Sequence, residues 1–242
     1  MISEFRFKNV DFYYSLPSCI NKDNLQISGS EFLHITKVIR KNVGDEIFVV
    51  DGLGSIYHCK ISKVSKNDLI ADIISKNEST TESDVDITLA LGLLKNPSKF
   101  DFVVEKAVEL GVKKIIPFTS KFTISQKPKV ERWQSLAVSA MKQSQRAFLP
   151  LISEPFLFKE LLDCKADLKL IADIETESNT TEKENIKSII VIIGPEGGFA
   201  EEEIISAEEA GYKKINLSKN RLRAETAAIV SLPIILERFC KR

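Results

Sequence analysis

The sequence predicts an α/β protein in which a small β-rich domain precedes a larger domain built on a mostly parallel sheet. Short apolar segments near the start flank tight turns and surround one helix, a pattern typical of a small barrel. A polar stretch without apolar periodicity follows them. After it, buried strands alternate with amphipathic helices, which indicates a parallel sheet covered on both faces.

The first domain is predicted to span residues 1–76. Ser28 and Glu31 have the spacing of a capping box, so we expect a helix to begin there. The glycines of residues 51–55 suit a hairpin loop. Strands are predicted around these features, at residues 46–50, 56–61 and 69–74.

The second domain is predicted to span residues 85–242, after a polar linker at residues 77–84. Gly111 is expected to end its first helix, and Pro233 should bend its last one. The predicted strands are residues 87–94, 114–118, 168–174, 189–193 and 214–217. The predicted helices run from 97 to 110, from about 130 to 144 and from about 225 to 239.

Charge is balanced overall but unevenly distributed. The chain is 43% hydrophobic and 28% charged, with 34 basic and 34 acidic residues. Residues 119–150 contain six basic residues and one acidic residue, whereas residues 173–184 contain five acidic residues and one basic residue. We therefore expect a basic face and an acidic face. The zero net charge argues against strong nonspecific binding to nucleic acid.

Cysteine usage and hydropathy exclude several other classes of protein. The four cysteines are far apart, and with only two histidines beside them a protein-built zinc site is not expected. No apolar run reaches the roughly 18–20 residues that a membrane helix needs. The first residues lack the apolar core of a signal peptide. We expect a cytoplasmic protein with no membrane segment and no metal.

A strand, a glycine-rich turn and a helix follow one another around residue 194. Residues 189–193 are apolar, Gly194-Pro-Glu-Gly-Gly198 turns the backbone, and Glu201 to Glu203 place negative charge in the first turn of a helix. Such corners bind ligands in α/β sheets, because glycine lets a ligand approach the backbone. The alternative is a plain tight turn. The spacing matches neither the dinucleotide fingerprint nor the P-loop.

A second motif occupies residues 217–227, where a strand ends, a basic loop follows and a helix begins. Arg221 and Arg223 could hold a phosphate or stabilise a developing anion. The alternative is a solvated loop in which Glu225 or Thr226 caps the helix. The presence of two such corners late in one α/β domain strengthens the interpretation of each as part of a binding site.

These motifs resemble the bacterial 16S ribosomal RNA uridine-N3 methyltransferases, the RsmE-type members of the SPOUT superfamily. Residues 194–199 and residues 222–227 resemble the two signatures of that family, and the resemblance covers essentially the whole chain. The other matching positions are Lys95, Lys106, Glu109 to Val112, Gln143 to Arg146, Pro150, His34, Val38, Arg40, Gly44, Asp51 and Gly52.

Three positions depart from the family pattern. Ser218 stands where the family usually has glycine, and Asn220 stands where it usually has arginine, with Arg221 one residue later. Ala224 replaces a threonine. All three lie in the implied cofactor loop, where the arginine and glutamate of the signature are kept.

The resemblance implies a knotted, cofactor-binding homodimer. The C-terminal domain would be a SPOUT domain with a trefoil knot, and the N-terminal domain a PUA-like RNA-binding β-barrel. S-adenosylmethionine would lie among loops that follow Ile171, Ile193 and Leu217. The implied cofactor-binding residues are Ile171, Gly194, Pro195, Glu196, Gly197, Gly198, Leu217, Leu222, Arg223, Thr226 and Ala227. The implied RNA-contacting residues are His34, Arg40, Lys121, Lys142 and Arg146.

The implied reaction is methylation of N3 of a specific uridine in the 16S ribosomal RNA of the small subunit. N3 must lose its imide proton, so we expect Arg223 to stabilise the uridinate and Glu196 or Glu225 to accept the proton or to orient the arginine. Two alternatives stay open. One is a SPOUT methyltransferase that acts on another RNA, and the other is a non-catalytic RNA-binding factor in ribosome assembly.

Overall fold

The computed structural model describes residues 10–80, 82–124, 127–174 and 185–239. Its contacts divide the chain into two compact units. The N-terminal unit contains residues up to 82 together with residues 141–149, and the C-terminal unit contains residues 83–140 and those from 150 onward. The domain limits predicted from sequence stay predictions. The assignment of residues 141–149 to the N-terminal unit was not among them.

The N-terminal unit is a five-stranded sheet with the strand order β1-β3-β4-β5-β2. β1 runs parallel to β3, and the other neighbours are antiparallel. Its strands are β1 (Phe12–Tyr14), β2 (Asn24–Ser28), β3 (Glu46–Val50), β4 (Ser55–Val64) and β5 (Asp68–Glu78). Helix α1 (Gly29–Leu33) continues into a π-helical turn (His34–Val38), and Pro17–Cys19 form a 3-10 turn.

The two edges of this sheet lie side by side. Ser15, directly after β1, donates its hydroxyl to the carbonyl of Gln26 in β2 at 2.9 Å. The sheet therefore curls into the predicted barrel, around a core that includes Tyr13, Leu25 and Val49. Barrel-type closure also protects edge strands from pairing with another chain.

The predicted capping box at the start of α1 is wrong. Among the described residues, Ser28 makes no side-chain hydrogen bond that caps the helix. Glu31 instead accepts the backbone N–H of Tyr14 at 2.9 Å and a hydrogen bond from the Lys142 ammonium at 2.6 Å. Glu31 binds these distant partners because two charge-assisted hydrogen bonds stabilise its carboxylate more than one local capping bond would.

The C-terminal unit contains a seven-stranded sheet with the order β12-β10-β11-β6-β7-β8, in which β9 also pairs with β7. All of these pairs are parallel. Its strands are β6 (Asp86–Gly92), β7 (Lys114–Thr119), β8 (Leu151–Ile152), β9 (Phe156–Leu157), β10 (Leu168–Ala172), β11 (Ser188–Ile193) and β12 (Lys213–Ile215). Its helices are α2 (Pro97–Glu109), α3 (Val130–Gln143, whose last three residues belong to the N-terminal unit), α4 (Phe158–Leu162), α5 (Glu201–Glu209) and α6 (Ala224–Phe239).

Helix α2 begins and ends as its sequence predicts. Asn96 accepts the backbone N–H of Ser98 at 3.0 Å, Pro97 occupies the first turn, and Gly111 has a φ of 92° after the last turn. Phe100 and Val104 are buried against the rest of the unit. Their burial orients the helix and thereby directs Lys99.

Strands β11, β10 and β12 lie next to one another and place their carboxyl ends at one edge of the sheet. The predicted last strand ends two residues early, because Asn216 turns the chain. Its side chain donates to the carbonyl of Ile174 at 3.2 Å and accepts the N–H of Ser218 at 2.9 Å. Most of the predicted acidic segment, residues 175–184, lies outside the described residues.

Within the described ranges, no helix combines the length and the apolar character that crossing a membrane requires.

Candidate functional site

A cavity of about 720 Å³ opens at the carboxyl ends of β10, β11 and β12. This volume lies within the roughly 300–1,000 Å³ of small-molecule sites. The loop after each of the three strands contributes to its wall, as do the first turns of α2 and α6. The lining residues are Lys99, Ala172 to Ile174, Ile193 to Glu196, Gly198, Phe199, Ile204, Ile215 to Ser218, Asn220 to Ala224 and Ala227.

The glycines of the first motif serve the packing of the protein against itself. A Cβ atom on Gly197 would lie 2.7 Å from the Cβ of Phe122, and one on Gly194 would lie 3.1 Å from the ring of Phe199. Gly198 has a φ of 73°, which glycine adopts without strain. The close approach expected for a ligand is therefore made, at Gly194 and Gly197, by phenylalanine side chains.

Glu196 lies at the edge of the cavity and connects two loops. Its carboxylate oxygens accept the backbone N–H of Lys95 at 3.1 and 3.2 Å. Lys95 follows β6, so this contact ties the loop after β6 to the turn after β11. Glu196 remains exposed, and it therefore combines a fixed position with access to solvent.

The loop between β12 and α6 is closed by hydrogen bonds to the side chains of Asn216 and Ser218. Ser218 donates its backbone N–H to Asn216 and accepts the N–H of Asn220 on its hydroxyl at 3.1 Å. These are the turn bonds typical of Asn and Ser. The two departures at positions 218 and 220 thus give a defined loop that still lines the cavity.

Arg223 and Glu225 occupy different environments. Arg223 is exposed and lines the cavity, as does Arg221. Glu225 has a side chain only 13% exposed and forms an ion pair with Lys99 at 2.9 Å. Burial by itself would raise the pKa of Glu225. The hydrogen bond from Lys99, a backbone hydrogen bond and the charges of Lys99 and Arg223 outweigh burial, so the pKa of Glu225 is lowered and its carboxylate is ionised at neutral pH.

Most of the predicted cofactor residues meet at this cavity. Those that line it are Gly194, Pro195, Glu196, Gly198, Leu217, Leu222, Arg223 and Ala227. Ile171 is instead buried within β10, Gly197 packs on Phe122, and Thr226 is an exposed residue of α6. Sequence reasoning missed Lys99, whose position in the first turn of a helix that follows a strand was the available signal.

The residues predicted to contact RNA fall into two groups. His34, Arg40 and Lys121 are exposed. Lys142 pairs with Glu31 at 2.6 Å, and Arg146, only 6% exposed, pairs with Glu82 at 2.7 Å. These two ion pairs hold residues 141–149 within the N-terminal unit. Lys142 and Arg146 thus have a structural role, and their contact with RNA stays a prediction.

Comparison with known protein families shows the family to which this fold belongs. The model of the RNA methyltransferase domain matches residues 81–236, and that of the RNA methyltransferase PUA domain matches residues 27–74. The chain therefore belongs to the RNA methyltransferase family that contains the ribosomal RNA small subunit methyltransferases E.

Two relatives illustrate the similarity in sequence. The ribosomal RNA small subunit methyltransferase E of Mesomycoplasma hyopneumoniae (strain 232) is 41% identical over 170 residues, which cover 67% of this chain and 74% of that protein. The enzyme of the same name from Aquifex aeolicus (strain VF5) is 32% identical over 207 residues, covering 83% and 89%.

Two solved structures illustrate the similarity in fold. The ribosomal RNA small subunit methyltransferase E of Neisseria gonorrhoeae, bound to S-adenosyl methionine, has a TM-score of 0.86 at 28% identity and covers 95% of this chain and 98% of that one. A Legionella pneumophila protein in complex with the cofactor SAM has a TM-score of 0.87 at 25% identity, covering 96% and 99%.

Proposed function

We propose that this protein transfers the methyl group of S-adenosylmethionine to N3 of one uridine in the 16S ribosomal RNA of the small subunit. Its family makes it an S-adenosylmethionine-dependent methyltransferase of ribosomal RNA, and the atom N3 and the single uridine are the finer part of the proposal. One observation carries it. Residues of both signature segments, 194–199 and 222–227, line one cavity, although α5 and β12 separate the segments in the chain.

The cavity suits the proposed cofactor chemically. Ile193, Leu217 and Leu222 offer apolar surface to an adenine ring, and the turn at Gly194 offers backbone polar groups. Charged side chains at the same wall suit the polar methionine part of S-adenosylmethionine. When bound, S-adenosylmethionine supplies an electrophilic methyl group on a sulfonium sulfur.

Arg223 and Glu196 have separate roles in the proposed reaction. Arg223 stabilises the negative charge that develops on the uracil carbonyls. The N3 proton moves to Glu196, which lines the cavity, whereas Glu225 does not. The N3 lone pair then forms the bond to the methyl carbon while the carbon–sulfur bond breaks and its electron pair stays on sulfur. Much of the rate comes from the in-line alignment of these three atoms, and the transfer requires no metal ion.

RNA binding, assembly and location complete the proposal. His34, Arg40 and Lys121 contact the RNA, which their exposure permits. The protein acts as a cytoplasmic homodimer whose C-terminal segment threads a trefoil knot, as the family resemblance implies. Light scattering of the purified protein tests this state, and a monomer would contradict it.

Nucleoside mass spectrometry tests the proposed reaction. Small subunits that lack the modification are incubated with the purified protein and methyl-labelled S-adenosylmethionine, and their RNA is then digested. We expect the label in N3-methyluridine. Label in a ribose oxygen or in another base would favour a methyltransferase with a different target. Failure to bind the cofactor in calorimetry would favour a non-catalytic RNA-binding factor.

A pair of arginine variants tests the assignment of Arg223. Arg223→Ala should lower the rate at saturating cofactor by about 10²–10³-fold, the usual effect of losing a group that stabilises a developing anion. Arg132→Ala is the matched control, because Arg132 is exposed, pairs with Asp101 at 2.8 Å and lies outside the cavity. An unchanged rate in Arg223→Ala would refute the assignment.

A further inference from the structure

Lys99 is a cation at the cavity wall to which the proposed transfer gives no role. It lies in the first turn of α2, where its ammonium nitrogen is 2.9 Å from Oε1 of Glu225 in the first turn of α6. The side chains of Lys99 and Glu225 are 31% and 13% exposed. The pair therefore joins two helices while Lys99 still lines the cavity.

Stability alone gives a poor explanation of this pair. The second carboxylate oxygen of Glu225 is buried and has no hydrogen-bond partner among the described residues. Burying an ionised carboxylate with one oxygen unpaired is costly, and two apolar side chains of similar volume would often be as stable or more so. What the pair does achieve is to hold the flexible lysine side chain in one position at the cavity wall.

Lys99 is more sheltered than the other cations of the cavity. Arg221 and Arg223 are exposed and lie on the loop before α6, whereas Lys99 is half-buried on a separate element. An ammonium carries three donor hydrogens, and the bond to Glu225 uses one of them. A sheltered cation with further donor capacity suits a small anionic group inside the cavity better than a phosphate on a bulky RNA.

We propose that Lys99, positioned by Glu225, binds the α-carboxylate of the methionine arm of S-adenosylmethionine. This inference rests on the proposed function, since it assigns one subsite of the same cavity. The salt link fixes the arm that carries the reactive methyl group, and it leaves Arg223 for the uracil. Lys99 is then a cofactor-binding residue, and Glu225 is a positioning residue that acts through it.

Calorimetry with two ligands tests the proposal on the full-length protein. Decarboxylated S-adenosylmethionine keeps the sulfonium, the amino group and the adenosine but lacks the carboxylate. Lys99→Met should weaken binding of S-adenosylmethionine by about 10- to 100-fold, the usual worth of a charge-assisted hydrogen bond, and should leave binding of the decarboxylated ligand unchanged. Glu225→Gln should show the same selectivity with a smaller loss.

Two further variants separate the ligand effect from stability. Lys106→Met is the matched control, because Lys106 lies on the same helix, is 30% exposed and pairs with Glu105 and Glu109. It should bind both ligands as the wild type does. The double variant Lys99→Met with Glu225→Leu leaves no buried carboxylate unpaired, so it should fold and still lose affinity only for the ligand with the carboxylate.

Several results would overturn the proposal. An equal loss of affinity for both ligands would mean that Lys99 shapes the cavity without binding the carboxylate. Unchanged cofactor affinity together with weakened RNA binding would make Lys99 an RNA contact. In both cases the proposed function stands. If the wild type bound neither ligand, the proposed function would fail together with this inference.

Discussion

The contact between Gly92 and Pro195 makes the cavity wall sensitive to a single methyl group. A Cβ on Gly92 would lie 2.6 Å from both Cδ and the backbone nitrogen of Pro195, and 3.1 Å from the carbonyl carbon of Gly194. Carbon atoms pack at about 3.5–4 Å, so Gly92→Ala has to push the turn away by roughly 1 Å. The turn itself must move, because backbone atoms are among those contacted.

The expected cost of Gly92→Ala has two parts. Overpacking of this kind lowers the free energy of unfolding by about 1–3 kcal/mol, which urea denaturation measures. The displaced turn carries Glu196 and part of the cavity wall. A misplacement of about 1 Å can lower a rate by about 100-fold, so cofactor affinity in calorimetry and the methylation rate should both fall.

Gly211→Ala is the matched control for this prediction. Gly211 has a φ of 89°, and the methyl group of an alanine there would have no neighbouring atom within 4 Å, so the substitution costs about 1–2 kcal/mol of backbone strain without any clash. It should reproduce the loss of stability and leave cofactor affinity at the wild-type value. Wild-type affinity in Gly92→Ala, or an equal loss in Gly211→Ala, would refute the reasoning.

Three further predictions concern the charged groups. Arg146→Met should lower the free energy of unfolding in urea by about 3–5 kcal/mol, because it removes the buried guanidinium that pairs with the carboxylate of Glu82, and the double variant with Glu82→Leu should recover most of this loss. In filter binding at several salt concentrations, Arg40→Ala should reduce the salt dependence of RNA affinity by about one unit of slope, whereas the folded double variant at positions 82 and 146 should leave it unchanged. The lowered pKa of Glu225 means that its contribution to stability is present above the ordinary value of 4.5 and is lost as pH falls through the lowered pKa, so Glu225→Gln should flatten that part of a plot of unfolding free energy against pH. If the unfolding free energy of Glu225→Gln fell at low pH as steeply as that of the wild type, the cause given for the lowered pKa of Glu225 would be contradicted.

Local pattern predicts the long elements because their burial is repetitive. The strand β11 is an unbroken apolar run, and α2 carries both its capping residues and a regular apolar face. The short strands β8 and β9 have two residues each and exist only through pairing with β7. No local signal distinguishes such strands from a loop.

Long-range charge pairs account for the main features that the sequence could not reveal. Glu31 has the spacing of a cap, yet it bonds to Lys142, and Arg146 of the basic segment 119–150 pairs with Glu82. Such partners become visible only when the fold brings them together. The same holds for Lys99 and Glu225, whose pairing across two helices makes Lys99 a candidate cofactor-binding residue.

The candidate site was predictable in outline because its loops carry distinctive residues. The glycine-rich turn after Ile193 and the basic loop before Ala224 do meet at one cavity. The individual roles were less accessible, since Gly197 faces Phe122 and Ile171 lies inside the sheet. A motif locates a loop, whereas the direction of each side chain depends on packing against distant elements.

The proposed reaction transfers a methyl group to N3 of a uridine in 16S ribosomal RNA. It is tested most directly by mass spectrometry of nucleosides from 16S ribosomal RNA of a strain that lacks this protein. We predict that N3-methyluridine disappears, that the wild-type gene restores it and that the Arg223→Ala variant does not. Unchanged N3-methyluridine in the strain that lacks the protein would contradict the account.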